Sequence, residues 1–421
     1  MQDRIGAEIG GTFTDLAGVG PSGAAVPPGE IPQTAHMTHL TRRTVLAAAA
    51  FAATWPILRP ARAQQGPVKL GCILPLSGPS SVAGSEIIMG VRMAHEEANA
   101  KGGLFGVPIE LITEDDEGLP TKGATAARKL IESDGVCAIS ATYVSGVALA
   151  IRRVAAAAKI PVVSAGSTSV TVTDANTPGD PWFFRAFPGS DEQGDQSATD
   201  IVRKLHGKRI ALVYENSAYG KSLSEKVRAV TTAAGATIVA EDNYNGGEQD
   251  FSAVLARLRA LNPDTVYLGG LIGEGSAIVR QAHEIGFTPQ FVGSGSMMTD
   301  KFIELTGAAS EGFAVSSMFE PSTSNPVGRA FGERFRARYK IDADVLSALG
   351  FDSMSIIIEA VRRAGKPDGQ AVRDAIMHMA DFPLVQGPPG TTAKFDAKGS
   401  VSFRIGLAVV HNGHREWLPF D

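Results

Sequence analysis

The sequence predicts an α/β protein made of two doubly wound parallel-sheet lobes, and three observations carry that prediction. Residues 136–140 and 160–164 are short apolar runs. Between them, residues 146–159 place Val147, Leu149, Ile151, Val154 and Ala158 close to helical spacing. Strand, helix and strand in that order make one right-handed parallel unit. The pattern restarts after Phe187, where the texture changes to GSDEQGDQ and further strand–helix alternations follow. Finally, 421 residues are too many for one compact core, so more than one domain is expected.

Taken in order, residues 68–76 read as a buried strand ending in Ser77-Gly78-Pro79, and 84–101 as an amphipathic helix stopped by Gly102-Gly103. Residues 107–113 form the second strand, and Pro120 opens a helix running to 131. After the central unit comes an apolar stretch at 182–187. The second half reads as strands at 209–214, 237–242 and 265–268, helices at 221–234, 251–261 and 276–285, and a strand at Phe291 and Val292. Residues 312–318 read as a strand returning to the first half. Helices follow at 327–339, 343–364 and 369–379, and 401–410 with 415–418 form a closing hairpin.

In open parallel sheets, ligands bind beyond the carboxyl ends of the strands. The loops 142–145 and 165–168 both lie there. Ser145 also stands at a helix start, where unpaired N–H groups attract an anion such as a carboxylate. Ala165, Gly166 and Ser167 are small enough to let a ligand approach the backbone.

Composition excludes several function classes. A net charge of −5 and a pI near 6.0 argue against a general nucleic-acid binder. The two cysteines, Cys72 and Cys137, have no metal-ligand spacing and read as buried thiols on neighbouring strands, with a bond between them left open. The eight histidines form no metal spacing either. There is no G-x-S-x-G nucleophile elbow, and residues 270–275 lack dinucleotide-loop spacing. No catalytic residue, metal or cofactor is expected.

The first 63 residues read differently from the rest. Residues 4–19, RIGAEIGGTFTDLAGV, resemble the opening of the hydantoinase A and oxoprolinase family, a likeness that extends to residue 28. There Gly10 and Gly11 would make a turn, with Thr12, Thr14 and Asp15 giving polar contacts to phosphate. Nothing downstream continues it, so residues 1–36 are expected to be a disordered, non-native or fused extension. Residues 37–63 carry paired Arg42 and Arg43, an Ala-rich apolar stretch, and Ala61-Arg62-Ala63 before Gln64. Basic, apolar and small segments in that order read as a twin-arginine export signal cleaved near Ala63, with Met37 as the expected initiator.

From Val68 onward the chain resembles the periplasmic leucine/isoleucine/valine-binding proteins, the solute receptors of ABC importers. The matching stretches include Ser77-Gly78-Pro79, NAKGG at 99–103, Asp115-Asp116, Tyr219-Gly220, Asp250-Phe251-Ser252, Gly269-Gly270, Gly286-Phe287, Glu311-Gly312 and Phe395-Asp396. The resemblance implies two α/β lobes joined by three crossings, near Phe187, Ser317 and Gly387, with the ligand between them. Lobe 1 would then comprise 68–187 and 317–386, and lobe 2 188–316 and 387–421. It further implies a monomeric periplasmic protein that serves a membrane permease and is not an enzyme.

By position, the family's carboxylate and amine contacts fall on Tyr143, Val144, Ser145, Ala165, Gly166 and Ser167, with Tyr219 facing them from lobe 2. The family's amino-acid binders place an acidic residue where Gly295 aligns, and cleft tyrosines where Leu271 and Ala83 align. Glu274, Glu215 and Asp242 are the candidates to replace the missing carboxylate, Glu274 reading rather as an exposed helix-start residue. The expected ligand is thus a small carboxylate-bearing solute: a branched-chain or related amino acid, or an aromatic acid. An amide- or urea-binding receptor, a ligand-sensing domain and a hydantoinase-like enzyme are the alternatives.

Overall fold

The structure, a computed structural model, describes residues 66–320 and 325–418. The GGTFTD motif and the export signal lie outside the described residues. Two sheets organise the chain. The first holds β1 (Val68–Leu74), β2 (Ile109–Asp115), β3 (Ile139–Ala141), β4 (Val162–Ser164) and β5 (Phe183–Phe184) in the order β2-β1-β3-β4-β5, all parallel. The second holds β6 (Arg209–Glu215), β7 (Thr237–Tyr244), β8 (Thr265–Gly269), β9 (Gln290–Gly293), β10 (Ala314–Ser317), β11 (Gly406–His411) and β12 (His414–Leu418), in the order β12-β11-β10-β9-β8-β6-β7. Its β11 and β12 run antiparallel to their neighbours.

Helices cover both faces of each sheet, which is why the strands are apolar on both sides. On the first sheet, α1 (Ser81–Ala100) lies on one face, and α2 (Pro120–Arg128) and α3 (Ser145–Ala158) on the other. A short α4 (Val170–Asp174) follows β4. In the second half, α5 (Ser190–Arg203) and α6 (Ala218–Ala233) cover one face. The other face takes α7 (Ser252–Leu261) and α8 (Ile272–Glu284). A brief α9 (Asp300–Thr306) precedes β10. Then α10 (Pro326–Tyr339), α11 (Val345–Ala364) and α12 (Gly369–Met377) follow. The pair α1 and α11 meets backbone to backbone. A Cβ at Gly90 would collide with the Ser347 carbonyl, and one at Gly350 with that of Ile87.

Several boundaries differ from the sequence reading. The helix expected over 120–131 widens into a π-helical turn, Lys129–Asp134, and stops at Gly135, whose φ of 73° suits glycine. That turn delays β3 to Ile139. Helix α8 begins at Ile272, ahead of the expected 276. The strand expected over 312–318 is a member of the second sheet, paired with β9 and β11, and the chain leaves that sheet only after it.

The third crossing moves furthest. Instead of lying near Gly387, it lies between Val401 and Gly406. Val401 N–H still donates to the Arg185 carbonyl at 2.8 Å, and the Arg185 N–H to Gly399 O at 2.8 Å, which ties 399–401 to the edge of the first sheet. The single strand expected over 401–410 is therefore divided between two sheets. Arg185, 3 % exposed in the hinge, donates to Phe187 O, Thr168 O, Ser169 O, Thr173 Oγ1 and Ser400 Oγ. One planar guanidinium thus fixes the first and third crossings against the same loop.

Candidate functional site

Each sheet reverses its winding between two strands, β1 and β3 in the first and β6 and β8 in the second. Loops leaving the strand ends part there and leave a crevice. The two crevices face each other and form a cleft of about 520 Å³, open space at its mouth included. That lies within the range of small-molecule sites. The lobes touch across it, Ser169 Oγ donating to Ala218 O at 3.5 Å.

The first-sheet wall is set by buried polar bonds. Asp116 is fully buried; it accepts Gly118 N–H at 2.8 Å and the Thr142 hydroxyl, which pins the loop after β3 to the loop after β2. Burial raises its carboxyl above the usual range, and those two donors oppose the rise. The chain then enters α3 through Val144, which is extended (φ −81°, ψ 120°), and no side chain caps the helix. The first N–H groups of α3, on Ser145 and Gly146, have no intrahelical acceptor, and both residues line the cleft. Ser145 Oγ accepts from Ser167 Oγ at 3.2 Å and from Ser169 N–H at 3.3 Å, so its own proton is left for the cleft. Thr168 Oγ1 is buried and unpartnered on the same wall. Uncapped N–H groups, a helix dipole and two available hydroxyls make a seat for a carboxylate that contains no cation.

The opposite wall comes from the loops after β6, β8 and β9. Ser217 caps α6 by accepting Gly220 N–H at 3.2 Å and donates to Glu215 Oε2 at 3.0 Å. Tyr219, on the first turn of α6, lines the cleft, and burial pushes its hydroxyl up to about 12. Leu271 caps α8 and Gly295 and Ser296 follow β9, where Ser296 Oγ donates to Gly270 O at 3.2 Å. Gln193 stands beside Gly295, its Nε2 anchored on Pro188 O at 2.9 Å. The floor is apolar: Met318 from the hinge and Val345, Leu346 and Leu349 from the start of α11.

Of the residues expected at the site, Tyr143, Val144, Ser145, Gly166, Tyr219, Leu271 and Gly295 line the cleft. Ala165 and Ser167 do not. The 165–167 turn folds over Ser164: Ala165 N–H donates to Ala141 O at 2.8 Å, Gly166 N–H to Ser164 Oγ at 3.3 Å, and Ser167 N–H to Thr142 O at 3.0 Å. These donors are used inside the wall, so Ser167 acts on the cleft only through Ser145. Among the candidate carboxylates, Glu215 lines the cleft. Glu274, expected to be exposed, is buried and accepts Gly247 N–H at 2.6 Å. Asp242 pairs with Arg257 away from the cleft. Sequence reasoning missed the α11 floor, because Val345, Leu346 and Leu349 read only as the core face of a long helix. It also missed Gln193, for want of an apolar pattern around it. The two thiols are free and buried.

Two wound lobes, three crossings and a shared cleft define a hinged solute receptor. The sequence pattern of the periplasmic binding proteins matches residues 67–414, and the chain belongs to that family. It is 27 % identical over 321 residues to a Leu/Ile/Val-binding protein of Rhizobium johnstonii, covering 76 % of this chain and 86 % of that one. It is 30 % identical over 272 residues to an amino acid binding protein of Pseudomonas aeruginosa, covering 64 % of this chain and 72 % of that one. A leucine-binding protein from Thermotoga maritima superposes with a TM-score of 0.77 at 29 % identity, covering 84 % of this chain and 98 % of that chain. The family is one of periplasmic binders of small solutes, a class distinct from enzymes.

Proposed function

We propose that this protein is the solute receptor of an ABC importer. It binds a small carboxylate-bearing solute, such as a branched-chain or related amino acid or an aromatic acid, between its lobes and delivers it to a membrane permease. The observation that carries the reading is the uncapped start of α3, with Ser145 and Thr168 hydroxyls beside it, facing Tyr219 across the cleft. A solute touching both walls favours the closed arrangement by the difference in its affinity for the two states. The Leu/Ile/Val-binding and amino acid binding relatives support an amino acid as the first candidate. In this reading the protein works as a monomer, without catalysis, metal or cofactor, after export by the twin-arginine route and cleavage near Ala63.

The test is a thermal-shift screen of the full chain against aliphatic and aromatic amino acids, aromatic acids, amides and urea, followed by calorimetry of the hits. A binder present at one hundred times its Kd stabilises the folded state by about 2.7 kcal/mol. Stabilisation by a carboxylate solute, lost in Ser145→Ala, is the expected result. Stabilisation by amides or urea alone, or turnover of any of these compounds, would refute the reading. N-terminal sequencing of the secreted protein tests the export route: a start near Gln64 supports it, and retention of residues 37–63 contradicts it.

A further inference from the structure

A second crevice, of about 570 Å³ with open space included, runs along the line where the lobes meet and is walled by carboxylates from both sides. Lobe 1 brings Glu86 on α1, and Asp342 and Asp344 just ahead of α11; lobe 2 brings Asp300 and Glu304 on α9. The cations here are already matched. Lys301 holds Glu304 at 2.7 Å, Arg336 pairs with Asp342, and Arg415 of β12 pairs with Asp300 at 3.1 Å, with Glu320 of the second crossing 4.0 Å from it. Glu86 and Asp344 are left to each other, carboxyl against carboxyl. Two ionised carboxyls only accept and repel, whereas one proton between them makes a hydrogen bond. We infer that closing the lobes takes up a proton at this junction, shared between Glu86 and Asp344, so that solute affinity falls as pH rises.

The pair is placed to respond to closure. Asp344 is 6 % exposed and its Oδ1 caps α11 by accepting Ser347 N–H at 2.8 Å, while Glu86 Oε2 is buried with no donor facing it. Burial first, and then Asp344, hold the Glu86 carboxyl far above the usual carboxylate range; Arg415 opposes the rise and Asp300 adds to it. The far wall of the crevice belongs to lobe 2. When the lobes part, Asp300, Lys301, Glu304 and Arg415 withdraw and water reaches Glu86. Loss of Arg415 favours the protonated form, but relief of burial, the larger effect, favours the ionised one. The open state therefore binds the proton less tightly. By linkage, the closed state has the full benefit of the proton below the open-state value and loses it as pH rises through its own raised value. The path to the solute is short. Asp344 caps the helix whose first turn puts Val345 and Leu346 on the cleft floor, and Arg415 donates to Ala343 O at 3.3 Å across the lobes. On the cleft wall Tyr143 also feels Glu86, and burial keeps its hydroxyl neutral.

The experiment is calorimetry on the full chain with leucine and with benzoate as probes, between about pH 5.5 and 7.5, in paired buffers of unlike ionisation heat. It gives both the Kd and the protons bound on closure. The wild type should take up a proton, and its Kd should rise by up to about tenfold per pH unit, the limit for one proton. Glu86→Gln and Asp344→Asn each supply an amide N–H₂ in place of the shared proton, and asparagine still caps α11. Both should lose the proton uptake and keep their acid-side affinity at the upper pH. Asp342→Asn, an exposed carboxylate of the same crevice, should keep the wild-type slope. Glu215 and Glu320 are present in all four proteins and cancel in the comparison. Small-angle scattering without solute reads the same equilibrium: the radius of gyration should grow with pH in the wild type and stay constant in Glu86→Gln and Asp344→Asn. A slope that survives in both variants, or a wild type that binds without proton uptake, overturns the inference. Should neither probe bind, a wild-type radius that ignores pH overturns it, and one that grows with pH only where Glu86 and Asp344 are both present upholds it.

Discussion

Asp352→Asn tests how the hinge-side core tolerates charge. Asp352 lies on α11 and is 1 % exposed; its oxygens accept Val385 N–H at 3.0 Å, Gln386 N–H at 3.4 Å and Gln386 Nε2 at 3.0 Å. Among the described residues no cation pairs with it. Burial, opposed by those three donors, pushes the carboxyl from 3.8 up to about 7. The sign follows: a folded value above the unfolded one means the folded protein binds the extra proton. The associated stability is therefore full below the unfolded value and is lost as pH rises through about 7. Between about pH 5.5 and 8.5 the loss from this one group integrates to about 2 kcal/mol. Asparagine removes the dependence; its N–H₂, in place of the oxygen that accepts Gln386 Nε2, is met by turning the Gln386 amide over, which gives Oε1, buried without a partner in the wild type, a donor. Urea unfolding of both proteins at the two pH values gives the comparison. Glu320 and Glu86 are also raised by burial, but they are present in both proteins and cancel in the difference. The wild type should lose about 2 kcal/mol relative to Asp352→Asn on going to the alkaline value. An unchanged difference, or a wild type that gains on the variant as pH rises, would refute the argument.

The other predictions concern packing, the lobe interface and the cleft. Gly350→Ala should lower the urea midpoint by the equivalent of roughly 1–3 kcal/mol, because its methyl meets the Ile87 carbonyl where α1 and α11 touch; an unaltered midpoint would mean that the pair can slide apart. Arg415 is 5 % exposed, pairs with Asp300 at 3.1 Å, and donates to Ala343 O at 3.3 Å across the lobes. Arg415→Met should cost roughly 3–5 kcal/mol near pH 8 by stranding buried Glu320 beside Asp300. The cost should shrink at pH 5.5, since burial holds Glu320 up at about 7 and it is neutral there; equal costs at both pH values would contradict that. Ser145→Ala should weaken binding of a carboxylate solute more than Ser167→Ala, because Ser167 reaches the cleft only through the 3.2 Å bond to Ser145 Oγ. Calorimetric Kd values in the reverse order would move the anion seat to the 165–167 turn.

What could be read from the sequence followed from where apolar periodicity exists. β1, β6, β8 and the long α11 were legible because their buried positions are apolar and regularly spaced. Helix α5 was not. Its buried face is Ser190, Gln193, Gly194, Ser197 and Asp200, with only Ala198 and Ile201 to mark a core. That polar face closes through hydroxyls: Ser197 Oγ donates to Ser316 Oγ at 3.3 Å, which donates to Asp200 at 3.0 Å. The third crossing was illegible for another reason. Apolar residues recur at every second position from Val401 through Phe403, Ile405 and Leu407 to Val409, yet Val401 pairs with Arg185 and Leu407 with Ser316. A change of partner between sheets leaves no mark on the pattern of one strand.

The site divides along the same line, and the division says where specificity can change. Tyr143, Val144 and Ser145 were readable because strand-end loops and helix starts face ligands for reasons of backbone geometry, whatever the side chain. Their N–H groups suit any carboxylate and so discriminate little among solutes. Discrimination falls to side chains that backbone rules do not predict: Glu215, Leu271 and Gly295 for the charge and shape of one wall, Val345, Leu346 and Leu349 for the floor. Arg185 and the Asp116–Thr142 bond hold the hinge and the anion wall in place through backbone carbonyls and buried hydroxyls. Neither depends on which solute is bound. Exchanging a few side chains on the floor or the second wall can therefore retune the ligand without disturbing closure, whereas a change at Arg185 would disturb closure for every ligand alike.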